Sequence, residues 1–355
     1  MTSATALLIT RDEELLEDVL RLTAAAGVEL DVAHDSAAAL RSWAAAPVVL
    51  VGADQLPAIG QQHPLRREQV HVISLTPAPD DLFRAALAIG AENVAELPAA
   101  ETWLVELLTD VADGGARRAT TIGVVGGSGG AGATTFAAAL ALTAARDKRQ
   151  VLLIDADPFG GGIDRVAGFE DLDGIRWDSF AHTTGRFSSR SLREALPQRD
   201  GLAVLTWASG PHPRTEAIAV REVLSAAQRG SDTVVVDLPR YPDPMTTEVL
   251  SRCDHVVLVS GLTMPAVAAA SRVAAYLHDS AGCLHLVTRG GATGLRAQDA
   301  SVALGIPLVA AMTDQRRLVE SVDLGLGPVQ SRRGPLARAA AAMLDRVGRA
   351  PSRVA

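Results

Sequence analysis

The stretch Thr120–Arg146, "TTIGVVGGSGGAGATTFAAALALTAAR", decides the fold of the larger part of this chain. A β-branched run passes through a glycine-rich turn into a segment, from Thr134 onward, made mostly of strong helix formers. At such a junction the first backbone N–H groups of the helix point outward, and its dipole favours an anion there. Gly127, Gly132 and Thr134 have the spacing of G-x-x-x-x-G-K-[ST], the loop that wraps phosphates, while Ala133 stands where its lysine belongs. The plain alternative is a glycine turn without function. On the functional reading, Gly127, Ser128, Gly129, Gly130, Ala131, Gly132, Ala133, Thr134 and Thr135 form the nucleotide-binding cradle.

The missing lysine is informative because the chain contains only one, Lys148, against 32 arginines. A drift from lysine to arginine across a whole chain would not remove a lysine that chemistry required. Lys148 cannot substitute, since a helix continued from Thr134 would carry it ~21 Å away.

Two further segments support the site. "VLLIDADPFGGGID" (151–164) ends a strand on Asp155 and Asp157, and "TVVVDLP" (233–239) ends another on Asp237. Carboxylates at the C-terminal ends of parallel strands converge on the ligand crevice of such sheets. Taken singly, each aspartate reads as a helix cap or a solvated loop residue. Together with Thr134, Asp155 and Asp237 are expected to hold magnesium, the carboxylates through water, because this ion takes oxygen ligands and retains several waters.

The 355 residues suffice for two domains. A formal charge of −8 argues against a broad nucleic-acid surface, leaving only a local arginine patch, and no specific nucleic acid is expected as partner. Cys253 and Cys283 form no metal-spaced motif and no disulfide framework. The first residues lack the pattern of a secretory signal, and no apolar run approaches the ~20 residues of a membrane span. A cytoplasmic protein is expected, at most peripheral at the inner face of the membrane.

Residues 1–112 alternate short strands ("ATALLIT", "ELDVAH", "PVVLVG", "VHVISLT", "NVAEL") with apolar helical stretches, the signature of a parallel sheet covered on both faces. A linker is expected at 113–119, a second αβ series over 120–349 and a tail at 350–355. In the second series helices are expected near 213–228, 264–278, 295–303, 315–323 and 335–348, and another at "RSLREAL", where Ser191 and Glu194 have capping-box spacing. The fold class is thus α/β, with two three-layer domains. Trp177 and Trp207 read as core residues, with a partner surface as the rival. The alanine-rich 335–348 segment reads as a packing helix, because a membrane helix would show bulkier apolar residues.

The loop, the two aspartate segments and "CDHVVLVSGLTMPAV" (253–267) together resemble the ParA/MinD family of deviant-Walker ATPases over roughly 120–349. The nearest branch is similar to the CpaE and TadZ pilus-localisation proteins, particularly the actinobacterial CpaE-like proteins described as septum site-determining. In that family one lysine opens the loop and a second precedes the magnesium-binding hydroxyl; Ser128 and Ala133 occupy these positions here. Otherwise the resemblance implies Thr134 for magnesium, Thr135 near the α-phosphate, Asp155 and Asp157 for metal and attacking water, and Asp237 as the Walker B carboxylate. Asp157 is the catalytic candidate if hydrolysis occurs. Thr288 replaces the family's base-reading asparagine, which leaves adenine against guanine open.

The resemblance further implies ATP or ADP with magnesium, a homodimer, and partners among cell-division or pilus and secretion proteins, through which the chain would reach the membrane. Without its lysines the domain is expected to be a dimerisation switch with slow or absent hydrolysis, at most a weak ATPase. Arg165, Arg214, Arg240 and Arg289 are the cations that could supply charge to an active ATPase instead; a nucleotide-free adaptor is the third reading. Residues 1–112 resemble a response-regulator receiver in which the acidic pair has become Thr10 and Arg11, the phosphoacceptor Gly52 or Ala53, and the lysine Leu97, while Thr76 keeps the hydroxyl. Asp12 and Asp54 lie close by. A pseudo-receiver serving docking or dimerisation is expected.

Overall fold

The computed structural model describes residues 5–112, 119–180, 188–210, 217–280, 282–290 and 295–348. The chain divides into two units, Met1–Arg117 and Arg118–Ala355. Residues 113–118 of the expected linker and the expected tail lie outside the described residues.

In the first unit the elements run β1 (Thr5–Ile9), α1 (Glu13–Ala26), β2 (Glu29–Ala33), α2 (Ser36–Trp43), β3 (Val49–Gly52), α3 (Leu56–Gln61), β4 (Val70–Ser74), α4 (Asp80–Ala88), β5 (Asn93–Glu96) and α5 (Glu101–Ala112). The sheet is parallel in the order β2-β1-β3-β4-β5, the doubly wound flavodoxin-like arrangement. β3 and β4 are buried along their whole length, because helices cover both faces. The Asp12 carboxylate caps α1 by accepting from Glu14 N–H and Leu15 N–H, and Gly27 ends the helix at φ 72°, a left-handed conformation suited to glycine. Nothing in the sequence pattern announces α3, a segment carrying both proline and glycine. Its proline sits in the first turn, where no N–H is needed, and burial of Leu56 and Ile59 holds the helix.

The second unit contains β6 (Thr120–Gly126), α6 (Ala133–Arg146), β7 (Val151–Asp155), α7 (Ile163–Ala167), a 3₁₀ turn (Trp177–Phe180), α8 (Ser189–Ala195), β8 (Gln198–Arg199), β9 (Leu202–Leu205) and α9 (Ala217–Arg229). It continues with β10 (Thr233–Leu238), α10 (Pro244–Ser251), β11 (His255–Gly261), α11 (Met264–Ser280), β12 (Cys283–Arg289), α12 (Ala297–Leu304), β13 (Leu308–Met312), α13 (Leu318–Asp323) and α14 (Pro335–Gly348). The strand order is β13-β12-β11-β6-β10-β7-β9-β8. All pairs are parallel except β8 with β9, a short antiparallel edge that the sequence does not announce.

α6 lies against the sheet with Phe136–Ala141 fully buried, and α14 packs on α6 and β13 through Ala337, Ala340, Met343 and Leu344. The alanine-rich 335–348 segment is therefore a packing helix, its small side chains permitting close approach. α7 and α10 escape a sequence reading because they are short; α10 is fixed by its Asp243 cap and by proline in its first turn.

The capping box expected at Ser191 and Glu194 is not formed. α8 starts earlier, with the Ser188 hydroxyl accepting from Ser191 N–H, and Glu194 pairs instead with Arg190 at 2.8 Å, one turn back. Trp177 is buried, stacks on Trp207 at 5.6 Å between ring centroids, and donates its indole N–H to the Asp155 carbonyl at 2.7 Å. Replacing Trp177 with alanine is expected to destabilise the second unit by ~3–5 kcal/mol, measured as a lower calorimetric transition temperature; an unchanged melt would remove the ring from the core.

Candidate functional site

The site of the second unit is built at the C-terminal edge of three neighbouring strands. β10 lies between β6 and β7, and the register pairs Asp237 with Asp155 across β10 and β7. The loop that leaves β6 is shaped from outside. Gly127 N–H donates to the Val259 carbonyl at 2.8 Å, and a Cβ on Gly127 would fall 2.5 Å from the Ala270 side chain of α11. Gly130 and Gly132 adopt φ of 70° and 92°, which side chains other than glycine's rarely tolerate. No side chain caps α6 at Gly132, so the amides of its first turn face the cradle with hydrogen-bonding capacity to spare.

A cavity of about 420 Å³ opens over this loop, lined by Ser128, Gly129, Gly130, Ala131, Gly132, Ala133, Thr134 and Thr135, and by Asp157, Asp237, Arg240 and Arg289. Gly127 sits beneath the lining, buried against α11. The Thr134 hydroxyl lines the same cavity as the Asp237 carboxylate and favours its charged form. Asp157 reaches the cavity with its Oδ1 accepting from Phe159 N–H at 3.1 Å.

Asp155 is not brought to the cavity wall. It is 2% exposed, its Oδ1 accepts from Asp157 N–H at 3.1 Å, and its Oδ2 accepts from Ile163 N–H at 3.1 Å and the Thr206 hydroxyl at 3.0 Å. It shapes the turn that presents Asp157.

Burial pushes both inner carboxyls up, Asp155 to about 6 and Asp237 to about 8, the latter raised further by the neighbouring Asp155 and lowered by the Thr134 hydroxyl. A cation near Asp237 would reverse that balance. Among the described residues no group of three or more His, Cys, Asp or Glu side chains could hold a metal. The donor set of one hydroxyl and one carboxylate fits magnesium that completes its shell with water and phosphate oxygens.

Of the four candidate arginines, Arg240 and Arg289 flank the loop, Arg165 instead approaches Ser209 at 3.4 Å, and Arg214 lies outside the described residues. Both flanking arginines stand at or just beyond strand ends, a placement that could have distinguished them in the sequence. Thr288 is buried with no hydrogen bond to its hydroxyl among the described residues.

The corresponding edge of the first unit is closed on itself. Asp54 Oδ1 accepts from the Thr10 hydroxyl at 2.8 Å, and its Oδ2 accepts from Arg11 N–H at 2.8 Å and the Gln55 amide at 2.9 Å. A Cβ on Gly52 would lie 2.4 Å from Asp54 Oδ1, so this carboxylate fills the space over the end of β3. Asp12 is consumed as the cap of α1, Leu97 is buried, and the Thr76 hydroxyl lies 3.5 Å from that of Ser74.

Comparison with known proteins agrees with this geometry. Residues 9–119 match the Rv3660c-like, CheY-like N-terminal domain, and residues 122–161 match the CobQ/CobB/MinD/ParA nucleotide binding domain. The protein Rv3660c of Mycobacterium tuberculosis strain H37Rv is 36% identical over 346 residues, covering 96% of this chain and 97% of that protein. The chain belongs to the Rv3660c-like family. Among solved structures, this Rv3660c-like chain is similar to a ParA family ATPase from Chlorobium tepidum (TM-score 0.58, 15% identity, 63% of this chain and 97% of that one). It is also similar to the septum site-determining protein MinD of Pyrococcus horikoshii, solved with Mg-ADP (TM-score 0.56, 18% identity, 65% and 96%). These likenesses show the fold: an α/β chain with a CheY-like parallel-sheet domain followed by a ParA/MinD P-loop NTPase-like domain. Among the described residues, no helix is long and apolar enough to cross a membrane.

Two outcomes are expected. Because the folded Asp237 binds its proton up to about pH 8 while the unfolded carboxyl releases it near 3.8, stability contributed by the neutral form falls as pH rises between these values. Every tenfold difference in proton affinity between the folded and unfolded chain is worth about 1.4 kcal/mol, so Asp237→Asn should gain on the wild type by a few kcal/mol from pH 5 to pH 9 in denaturant titrations. Parallel profiles would refute the buried proton. In the first unit, acetyl phosphate or beryllium fluoride with magnesium should leave the NMR spectrum unchanged, whereas perturbations centred on Asp54 would show a working acceptor.

Proposed function

We propose that the chain is a spatial regulator whose second unit binds ATP or ADP with magnesium and uses the nucleotide as a dimerisation ligand, with slow or absent hydrolysis. The first unit is then a docking or dimerisation module, and the pair positions septum or pilus and secretion machinery, as the CpaE/TadZ-like resemblance implies. Association with the inner face of the membrane would run through those partners.

One observation carries this reading. The cradle keeps its open amides, its left-handed glycines and the Thr134–Asp237 pair, although both family lysine positions hold short uncharged residues, Ser128 and Ala133. Oriented amides and a helix dipole contribute ~1–2 kcal/mol to anion binding in a partly buried site, so binding persists while the transition state lacks its lysine charge. In this scheme Asp157 lines the cavity where an attacking water would stand. The similar MinD from Aquifex aeolicus was solved as a MinC:MinD complex (TM-score 0.55, 19% identity, 67% of this chain and 99% of that one), and a protein partner for this chain is proposed on the same lines.

Calorimetric titration with Mg·ATP, Mg·ADP and Mg·GTP, followed by size exclusion with and without ligand, tests the proposal. Binding accompanied by a move toward dimer is expected, with turnover below ~1 s⁻¹, at the slow edge of ordinary enzymes. Turnover of several per second, lost in Asp157→Ala, would instead establish an active ATPase. No binding at millimolar nucleotide would leave an adaptor.

A further inference from the structure

Arg240 and Arg289 approach the glycine loop from opposite sides. Arg240 leaves the end of β10; its Cδ lies 3.7 Å from where a Cβ on Gly126 would stand, and its Nη2 lies 3.8 Å from the same position on Gly129. It is exposed, and it makes no hydrogen bond or ion pair among the described residues. Arg289 ends β12; its Nη1 donates to the Gly130 carbonyl at 3.3 Å and lies 3.2 Å from the Cβ position of Gly132. Its Nε donates to Asp314 Oδ1 at 2.7 Å.

The Asp314 pair is largely exposed, so it adds little stability. What it does is fix the guanidinium plane over the loop, with Nη1 turned to the cradle. The glycines matter to this arrangement as well: a side chain at Gly132 would displace Arg289.

We propose that Arg240 and Arg289 form a two-sided guanidinium clamp for the terminal phosphates of a polyphosphate ligand, with Asp314 as the residue that positions Arg289. The proposal rests on the reading that the loop takes phosphate, and it supplies charge for holding that ligand where Ser128 and Ala133 offer none, without restoring a lysine inside the loop. A guanidinium presents planar, paired donors that match phosphate oxygens, and it cannot be deprotonated at neutral pH. The cations enter from strand ends flanking the loop, whereas a loop lysine would act from within it. Arg289 donates to the Gly130 carbonyl, an acceptor it would exchange for a phosphate oxygen. The clamp therefore recognises the phosphate chain, not the base or ribose.

The test uses the full chain and two probes, tripolyphosphate and Mg·ATP, measured by calorimetry. Arg240→Ala and Arg289→Ala should each weaken tripolyphosphate roughly ten- to hundred-fold, the range of a charged hydrogen bond, and the double variant should abolish binding. Arg289→Lys should recover part of the loss, because charge returns without the planar fork. Asp314→Asn should weaken binding several-fold while leaving the thermal transition unchanged, a combination that a merely structural contact would not give. Circular dichroism confirms that each variant is folded.

If the wild type binds both probes and the arginine variants bind equally well, the clamp is overturned and the nucleotide reading survives. If tripolyphosphate binds in an arginine-dependent way and Mg·ATP does not, the clamp stands and the nucleotide switch fails. Binding of neither probe overturns both.

Discussion

Asp237 and Asp155 stand side by side because β10 and β7 pair in parallel register, and β6 joins the other edge of β10 in the same direction. Parallel strands bring all their C-terminal ends to one edge, so the glycine loop after β6 and the carboxylates at the ends of β7 and β10 have no freedom to be elsewhere. Burial is the chief reason both carboxyls hold their protons more tightly, and the neighbouring Asp155 adds to the rise at Asp237. A site so arranged favours a proton on Asp237, and a cation beside it would favour the charged carboxylate.

The same topology appears in the first unit with opposite consequences. There too the strand ends gather at one edge, but Asp54 has its carboxylate satisfied by Thr10, Arg11 and Gln55. No acidic pair remains for magnesium, and the carboxylate occupies the space above Gly52. One edge is closed by its own side chains, whereas the other keeps unpaired amide donors and an open cavity. A shared architecture thus supplies placement, and the local residues decide whether chemistry follows.

Small residues carry much of the second unit's precision. Gly127 lets α11 approach until only a hydrogen fits between loop and Ala270, and a Cβ on Gly123 would lie 2.7 Å from Leu238. The alanines of α6 and α14 allow a helix to be covered on both sides without pushing the sheet away. The shape of the cradle is therefore imposed by packing behind it as much as by its own sequence.

Much of this could be read in the chain before folding was considered. Periodic apolar runs marked most strands and the long helices, since burial on one or both faces writes itself into composition. The spacing of Gly127, Gly132 and Thr134, and the strand-end positions of Asp157 and Asp237, pointed to the cavity that all of them but the buried Gly127 line. Short elements such as α3, α7 and α10 were not legible, because their stability comes from tertiary burial and caps, not from periodicity. Nor could sequence tell that Ser188, not Ser191, caps α8, or that Asp155 is spent on Thr206 and Ile163. Arg240 and Arg289 stand out in the sequence as strand-end cations, but they lie far from the loop along the chain, and the lateral order of strands is what brings them to it. Local residue chemistry determined what each segment could do, and the packing of distant strands decided which of those capacities meet in space.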